Sequence, residues 1–434
     1  MSKLLNTNGS NPILPFDIYI ADGEPKVFGD RVYLYGSHGL FDGGYCSYDY
    51  HVYSAPVNDL TSWTDHGVCF ESRRGDDTAD VPWSRELLWS PDVIKAGDKY
   101  YLYFCLSDGS EGVAESETPY GRFTNARRIT MNGRPIEGID PSVLVDNGRV
   151  YYTWGQGEMR IGELEADMCS IKPESYHPAV ITRHPGREGF HEGSSLRKIG
   201  DRYCIIYASE WTEAYPNCGG RPTKLDYALS GDVYGPYKRM GTVINNAGID
   251  PQSWNNHGSI IKIEDQWYVF YHASSNNSKY SRRARAERLK VDEINGIITE
   301  AKISSNGFLE YAEAEDLTQP ANACRFTYGA YVTERKDGTH PLVNVYNDGG
   351  MVFERVHFET GKYTFSVNYT AFDRSVLKLY IGDRLMAETE LETDKGTAEA
   401  ELCVGECTEN VFMVICGEGG KELCNITDFC FKLN

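Results

Sequence analysis

The sequence predicts an all-β protein, a five-bladed β-propeller followed by a β-sandwich of jelly-roll type. Three observations carry this. One hairpin pattern returns five times in the first three hundred residues, helix signals are weak throughout, and the composition changes after Gly307. The hairpin is a polar turn followed by alternating aromatic and aliphatic residues. It reads GDRVYLYGS from Gly29, GDKYYLYFC from Gly97, NGRVYYTWG from Asn147, GDRYCIIYA from Gly200 and EDQWYVFYH from Glu264. The starts are 68, 50, 53 and 64 residues apart, room for one four-stranded sheet each. Tyr, Val, Ile and Phe suit a pleated, half-buried surface, and an apolar run precedes each turn, as at 25–28, 143–145 and 259–263.

Taken in order, residues 1–14 read as a polar, loose lead. Blade one runs to DHGVCFE, blade two opens at WSPDVI, blade three at GIDPSVLV, blade four at FHEGSSLRK and blade five at NNHGSIIK. Two long irregular stretches, 73–89 and 211–224, are candidate rim loops, the place where propellers shape specificity. The propeller is expected over 1–305 and a second unit over 306–434. From Asn306 onward there are 22 acidic and 11 basic residues and none of the seven Trp, while GKYTFSVNY, SVLKLYIG and ENVFMVICG alternate as short antiparallel strands.

Seven residues before each turn the inner strand begins, at Asp22, Ser90, Asp140, Gly193 (with Glu192 one place earlier) and His257. In a propeller the inner strands line the central channel, so equivalent starts converge on one mouth. A lone Asp there is ordinarily a turn residue. Ionisable groups at this place in four of five blades point instead to a site. Inverting hydrolysis of a glycosidic bond needs one carboxylic acid for the leaving oxygen and one carboxylate to activate water. A third carboxylate nearby keeps the acid protonated by like-charge repulsion.

Composition excludes several classes. With 43 Lys and Arg against 63 Asp and Glu the net charge is -20, which repels phosphate backbones and argues against nucleic-acid binding; a neutral oligosaccharide is compatible. No stretch of about 18 apolar residues spans a membrane, and the lead lacks a secretory signal, so the chain reads as cytoplasmic, or as secreted if a signal peptide has been removed. The 12 Cys are scattered, with Cys105, Cys204 and Cys416 inside strand-like runs as small apolar residues, and none has zinc-site spacing. Serine triads, P-loops and dinucleotide fingerprints are absent.

The ordered set ADGEPKVFGDRVYLYGSHG, WSPDV, GIDPSVLVD, FHEGSSLRKIGDRY and NNHGSIIKI resembles glycoside hydrolase family 43, five-bladed inverting β-xylosidases, α-L-arabinofuranosidases and arabinanases. The resemblance covers residues 14–305. It implies Asp22 as general base, Glu192 as general acid and Asp140 as the acid that orients and tunes its partner. It also implies His257 as a channel histidine near a structural calcium ion or its waters, and Arg282, with Arg283 as the alternative register, reaching the sugar. No cofactor is implied for the chemistry. Trp89 is a pocket wall or a core residue, and His257 can equally be a buried, hydrogen-bonded histidine. Gly23 and Glu24 depart from the family's usual Ala-Asp-Pro start, and on an alternating strand Glu24 shares the side of Asp22.

The second unit opens EYAEAEDLTQ, similar to the start of carbohydrate-binding module family 6, which implies Glu313 or Glu315 as a calcium ligand. The family's matching Asp falls on Thr427, with Asp428 one place later. Without Trp, a sugar platform falls to Tyr328, Tyr331 or Tyr346; the other reading is a structural sandwich packed on the propeller. The expected activity is release of terminal xylosyl or arabinofuranosyl units from short oligosaccharides. The rivals are a retaining fructan-type hydrolase, whose blade-three Arg-Asp-Pro is not met by Ile139 before Asp140, a silent sugar-binding propeller, and a protein-interaction propeller of the WD-repeat type, whose Gly-His and Trp-Asp signatures do not recur here.

Overall fold

Each polar turn found in the sequence closes a hairpin, and the left-handed residues that make such turns possible sit at Gly29 (φ 65°), Gly97 (φ 59°), Asn147 (φ 50°), Gly200 (φ 56°) and Glu264 (φ 52°). A computed structural model describes residues 2–41, 43–73, 79–182, 189–210 and 222–434. Five antiparallel sheets follow in chain order. The first holds Ile20–Phe28, Arg31–His38, Asp49–Pro56 and Ser62–Glu71; the second Asp92–Ala96, Lys99–Cys105, Glu111–Ser116 and Thr124–Arg128. The third holds Ser142–Asp146, Arg149–Trp154, Glu158–Glu163 and His177–Thr182. The fourth holds Gly189–Ile199, Arg202–Glu210, Lys224–Ser230 and Lys238–Asn245, and the fifth Ser259–Ile263, Gln266–Ser275, Ser278–Asp292 and Ile297–Thr299. These are the five blades. The described residues contain three single-turn 3-10 helices and no α-helix.

The first strand of each blade meets that of the next, and Ile20–Phe28 returns to Ser259–Ile263 through a parallel bridge between Gly23 and Gly258. Closure is apolar: Ile20, Val32 and Leu34 of the first blade pack with Tyr268, Phe270 and Ala284 of the fifth. The lead is not loose. Lys3–Asn6 pairs with Ser62–Glu71 as a fifth strand of blade one, and Leu5, Ile13 and Leu14 bury in the closing seam. Asn11 is wholly buried, its amide donating to the Ala286 carbonyl (2.9 Å) and to Glu287 Oε1 (2.9 Å). Three apolar residues among polar ones are enough to order the segment, which the overall polarity concealed.

Two further sheets face each other across one core of Phe353, Leu377 and Met413 on one side and Phe365, Val367 and Phe429 on the other. Period-2 burial along Gly361–Ala371 and Ser375–Ile381 gives each strand one core face and one wet face. This sandwich docks on the last two blades. Cys324 and Val352 enter the cluster of Ile206, Ile260 and Tyr271, Arg285 Nη2 donates to the Ala323 carbonyl (3.0 Å), and the Tyr19 hydroxyl donates to Glu334 Oε2 (2.6 Å). Cys105 and Cys204 are buried as expected, whereas Cys416 is only half-buried, on the wet side of its strand.

Candidate active site

The inner strands do not enter the channel straight. Asp22 and Asp140, equivalent in the repeat, share the same left-handed kink (φ 57° at each), and Gly193 makes the same kink in blade four (φ 67°). An L-residue rarely adopts this conformation, Asp and Asn being the usual exceptions. In blades one and four the strand register slips at this point, between Ala21 and Glu24 and around Glu192. The kinks turn acids that would otherwise lie in the ladder toward one cavity of about 230 Å³. Asp22, Asp140, Glu192, Trp89, His257 and Arg282 all line it, so the carboxylates, the cation, the histidine and the tryptophan expected from the sequence meet in one place.

Asp22 is 5% exposed and held by three groups, Ser37, Arg282 and His257, with His272 beside them. Ser37 donates to its Oδ2 (2.5 Å) and Arg282 Nη1 to its Oδ1 (3.0 Å), while His257 Nδ1 lies 3.5 Å and His272 Nδ1 3.4 Å from Oδ1. Burial raises its pKa, but Arg282 first, then His257 and Ser37, outweigh this and bring it down to about 2. Asp22 is thus ionised at any working pH. His272, wholly buried, is pushed down to about 3 by burial and then by Arg282, so it stays neutral and its Nδ1 accepts from the Asp22 backbone N–H (3.2 Å).

Asp140 is the opposite case. Its Oδ2 accepts from the Gly193 N–H (3.1 Å), yet burial, then Glu192, then Asp22 raise it well above the usual carboxylate range. Burial and the two acidic neighbours thus push Asp140 toward its protonated form. Gln156 Nε2 donates to Glu192 Oε2 (2.6 Å), and His191 Nε2 lies 3.6 Å from the same oxygen. Gly193 has a second reason to be glycine: a Cβ there would stand 2.8 Å from the His257 ring. One carboxyl held ionised and another pushed toward its protonated form beside a third, all facing one cavity, is the equipment for general acid and base work at one bond.

Sequence reasoning missed several contributors. Ser37 and His272 sit on the second strands of blades one and five, opposite the inner strands, and only register arithmetic across the hairpins finds them. Tyr45, Cys46, Gln156, Trp254 and Asn255 line the cavity from connections between strands, where no repeat marks them. Arg283, the alternative to Arg282, turns to the other side and donates to the Phe16 carbonyl (2.8 Å) and the Tyr19 hydroxyl (3.0 Å). Of the expected rim loops, 74–78 and 211–221 lie outside the described residues. The rest of 73–89 packs Val81 and Leu88 onto blade two and ends on Trp89 at the cavity.

Glu24 does not share the side of Asp22, because the register slip between them breaks the alternation. It lies below the cavity, paired with Arg197 and accepting from Ser195 Oγ (3.2 Å), while Lys26 pairs with Asp92 (2.7 Å). These two pairs balance the channel's negative charge with the chain's own cations. Calcium takes six to eight oxygens, and His257 has Asp22 and Asp140 as its near carboxylates, both engaged at the cavity. Beyond those two, the oxygens of a calcium ion beside His257 would have to come from water. Glu313 and Glu315 are exposed in the second unit, Glu315 Oε1 accepting from the Leu433 N–H (3.1 Å), and Asp428 is engaged by Asn368 (2.6 Å). Among the described residues, neither glutamate nor His257 belongs to a group of three side chains able to share an ion.

A five-bladed ring whose shared mouth presents three buried acids defines a propeller-type glycoside hydrolase. Residues 10–295 match Glycosyl hydrolases family 43, and the chain belongs to that family. It is 34% identical over 336 residues to a xylosidase/arabinosidase of Thermoclostridium stercorarium, covering 68% of this chain and 67% of the relative. It is 28% identical to a xylosidase/arabinosidase of Bacteroides ovatus, covering 66% and 96%. Among solved structures it is similar to a family 43 β-xylosidase/α-arabinofuranosidase from a compost microbial metagenome, determined with xylotriose in a calcium-free form (TM-score 0.56, 25% identity, 69% of this chain and 98% of that one). An arabinoxylan arabinofuranohydrolase from Bacillus subtilis shares the fold over 99% of both chains (TM-score 0.57, 20% identity).

Proposed function

We propose that this chain is an inverting β-xylosidase or α-L-arabinofuranosidase that removes one terminal sugar from short xylo- or arabino-oligosaccharides. The observation that carries the reading is the opposed state of the acids on one cavity, Asp22 brought down to about 2 and Asp140 pushed up beside Glu192. In this reading Asp22 takes the proton from the attacking water, with Arg282 and Ser37 fixing its two oxygens. Glu192 gives a proton to the leaving oxygen, aligned by Gln156. Asp140, raised by burial and by Glu192, orients and tunes the acid from its kinked backbone. Trp89 and Trp254 supply apolar faces for a sugar ring.

The size of the cavity favours terminal cleavage. About 230 Å³ lies below the roughly 300 Å³ at which pockets for larger ligands begin, and the Glu24–Arg197 pair closes the channel beneath. The relatives named xylosidase/arabinosidase and the solved β-xylosidase/α-arabinofuranosidase support the sugar class. We assign the propeller to 1–305 and a carbohydrate-binding-module-like sandwich to 306–434, with Tyr328, 71% exposed, as its most open aromatic. A panel of 4-nitrophenyl pyranosides and furanosides tests the proposal. Turnover is expected on β-D-xylopyranoside or α-L-arabinofuranoside, and turnover confined to long polysaccharide would overturn it.

A further inference from the structure

A second cluster of chemistry-bearing side chains lies in blade one. Arg31–His38 and Asp49–Pro56 are joined by residues 39–48, the connection that carries Tyr45 and Cys46 to the cavity. Its tip is held at the site, since the Tyr45 carbonyl accepts from Arg282 Nη2 (2.7 Å) and the Tyr45 ring packs on Tyr280 (4.8 Å between centroids). Its root is narrow, the Ser47 N–H donating to the His38 carbonyl (2.7 Å). Across that root three side chains face one point. His38 Nδ1 is 2.7 Å from Asp49 Oδ1, His51 Nε2 is 3.8 Å from Asp49 Oδ2, and the two imidazoles are 4.5 Å apart. One ligand atom from each lies within 4.8 Å of the others.

The donor set and its spacing point to a metal. Two imidazoles and one carboxylate suit zinc and its transition-metal neighbours and not calcium, which prefers oxygen. Ligands about 2.1 Å from a tetrahedral ion stand about 3.4 Å from one another; His51 Nε2 stands 3.8 Å from Asp49 Oδ2, and the 2.7 Å hydrogen bond between His38 Nδ1 and Asp49 Oδ1 would lengthen as an ion enters. Behind His51, Asp65 Oδ1 lies 3.7 Å from Nδ1 and is itself held by the Gly67 N–H (2.7 Å). Nδ1 has no hydrogen-bond partner at that distance, and by closing on it Asp65 would become the outer carboxylate that commonly orients a metal-bound histidine through its far nitrogen. Among the described residues no Lys or Arg forms a salt bridge with Asp49 or Asp65, whose ionic partners are the two histidines. The side chains are 19 to 26% exposed, which leaves the cluster open to solvent.

We propose that His38, Asp49 and His51 bind one zinc-class divalent ion, with Asp65 orienting His51, and that this ion fastens the root of the connection that brings Tyr45 and Cys46 to the cavity. The metal site stands on its own geometry; only its value for sugar binding rests on the function proposed above. Full-chain protein stripped with EDTA is titrated with Zn²⁺ by calorimetry and with Co²⁺ by absorption, without substrate. One equivalent is expected to bind, with a rise in Tm. His38→Ala and His51→Ala should each weaken Zn²⁺ binding by more than the roughly 10- to 100-fold that loss of an outer partner costs, and Asp65→Asn by about that amount. Hydrogen exchange over 39–48 should slow with Zn²⁺ in the wild type and not in His51→Ala. If an alanine variant does not fold, the wild-type Co²⁺ spectrum decides, with visible bands of a nitrogen and oxygen site and no thiolate charge-transfer band. No saturable uptake, uptake unchanged in both histidine variants, a thiolate band, or unchanged exchange over 39–48 would overturn the proposal.

Discussion

Asp22 and Asp140 occupy the same place in the repeat and the same left-handed backbone, yet their neighbours drive them apart. Arg282, two histidines and a serine surround the first; Glu192 and Asp22 surround the second. Their roles in the proposed mechanism follow from this contrast and give two predictions. Asp22→Asn should lower kcat/KM by roughly 10²- to 10⁴-fold on aryl and natural glycosides alike, because neither escapes the need for an activated water. Glu192→Gln should spare an activated aryl glycoside, whose leaving group needs little protonation, while stopping hydrolysis of xylobiose; steady-state kinetics on both substrates measure the difference.

Asp140→Asn tests the acid's proton. The general acid works protonated, so activity fails on the alkaline side, where rising pH removes its proton beside Asp140, itself raised by burial and by Glu192. Replacing one of two mutually repelling carboxyls lets that proton leave at a lower pH. The alkaline limb of kcat/KM should therefore move down by about one pH unit or more, while the fold, followed by circular dichroism, is unchanged. A limb that stays in place would remove Asp140 from the proton's environment.

At the scale of the element, the inner strand is the working part, and its kink is the device. Gly193 needs its φ of 67° and has no room for a Cβ beside His257. Gly193→Ala should cost about 1–3 kcal/mol of stability from the backbone alone, and should lower kcat by moving Glu192 off Gln156. Urea denaturation and initial rates measure the two effects, and a variant with wild-type kcat would separate the kink from the chemistry. The repeat made this element legible. Counting back seven residues found Asp22, Asp140 and His257, and placed Glu192 one residue off register. That offset is the trace left in sequence by a bulge. Hidden from the count were side chains on the partner strand, Ser37 and His272, and those on connections, Tyr45, Gln156 and Trp254, because a loop carries no period. The alternation that put Glu24 beside Asp22 failed for the same physical reason: a slip of register exchanges the faces of a strand.

At the scale of the whole molecule, the sandwich is bound into the propeller rather than tethered to it. Cys324 and Val352 are buried in a cluster with Ile260 and Tyr271 of blade five, and Arg285, 4% exposed, donates to the Ala323 carbonyl. Deleting 306–434 would bare this apolar seam and strip Arg285 of that partner. At roughly 1.5–3 kcal/mol for each well-buried apolar side chain the loss comes to several kcal/mol, so the truncated chain should melt well below the full one in calorimetry. An unchanged Tm would mean that the seam contributes nothing. The two-unit organisation was legible from the loss of Trp and the change of charge after Gly307. Docking of the units was not, because it depends on contacts such as Arg285 to the Ala323 carbonyl and Tyr19 to Glu334, which have no distinguishing pattern in the sequence.

The central claim is that water, activated by Asp22, attacks the sugar from the face opposite the bond that Glu192 protonates. Proton NMR of the first sugar released from 4-nitrophenyl β-D-xylopyranoside, or from the α-L-arabinofuranoside if that is the substrate cleaved, tests it directly when recorded before mutarotation. Attack by water activated at Asp22 gives the inverted anomer as first product, α-xylose or β-arabinose. First release of the retained anomer would contradict it and make Asp22 a nucleophile.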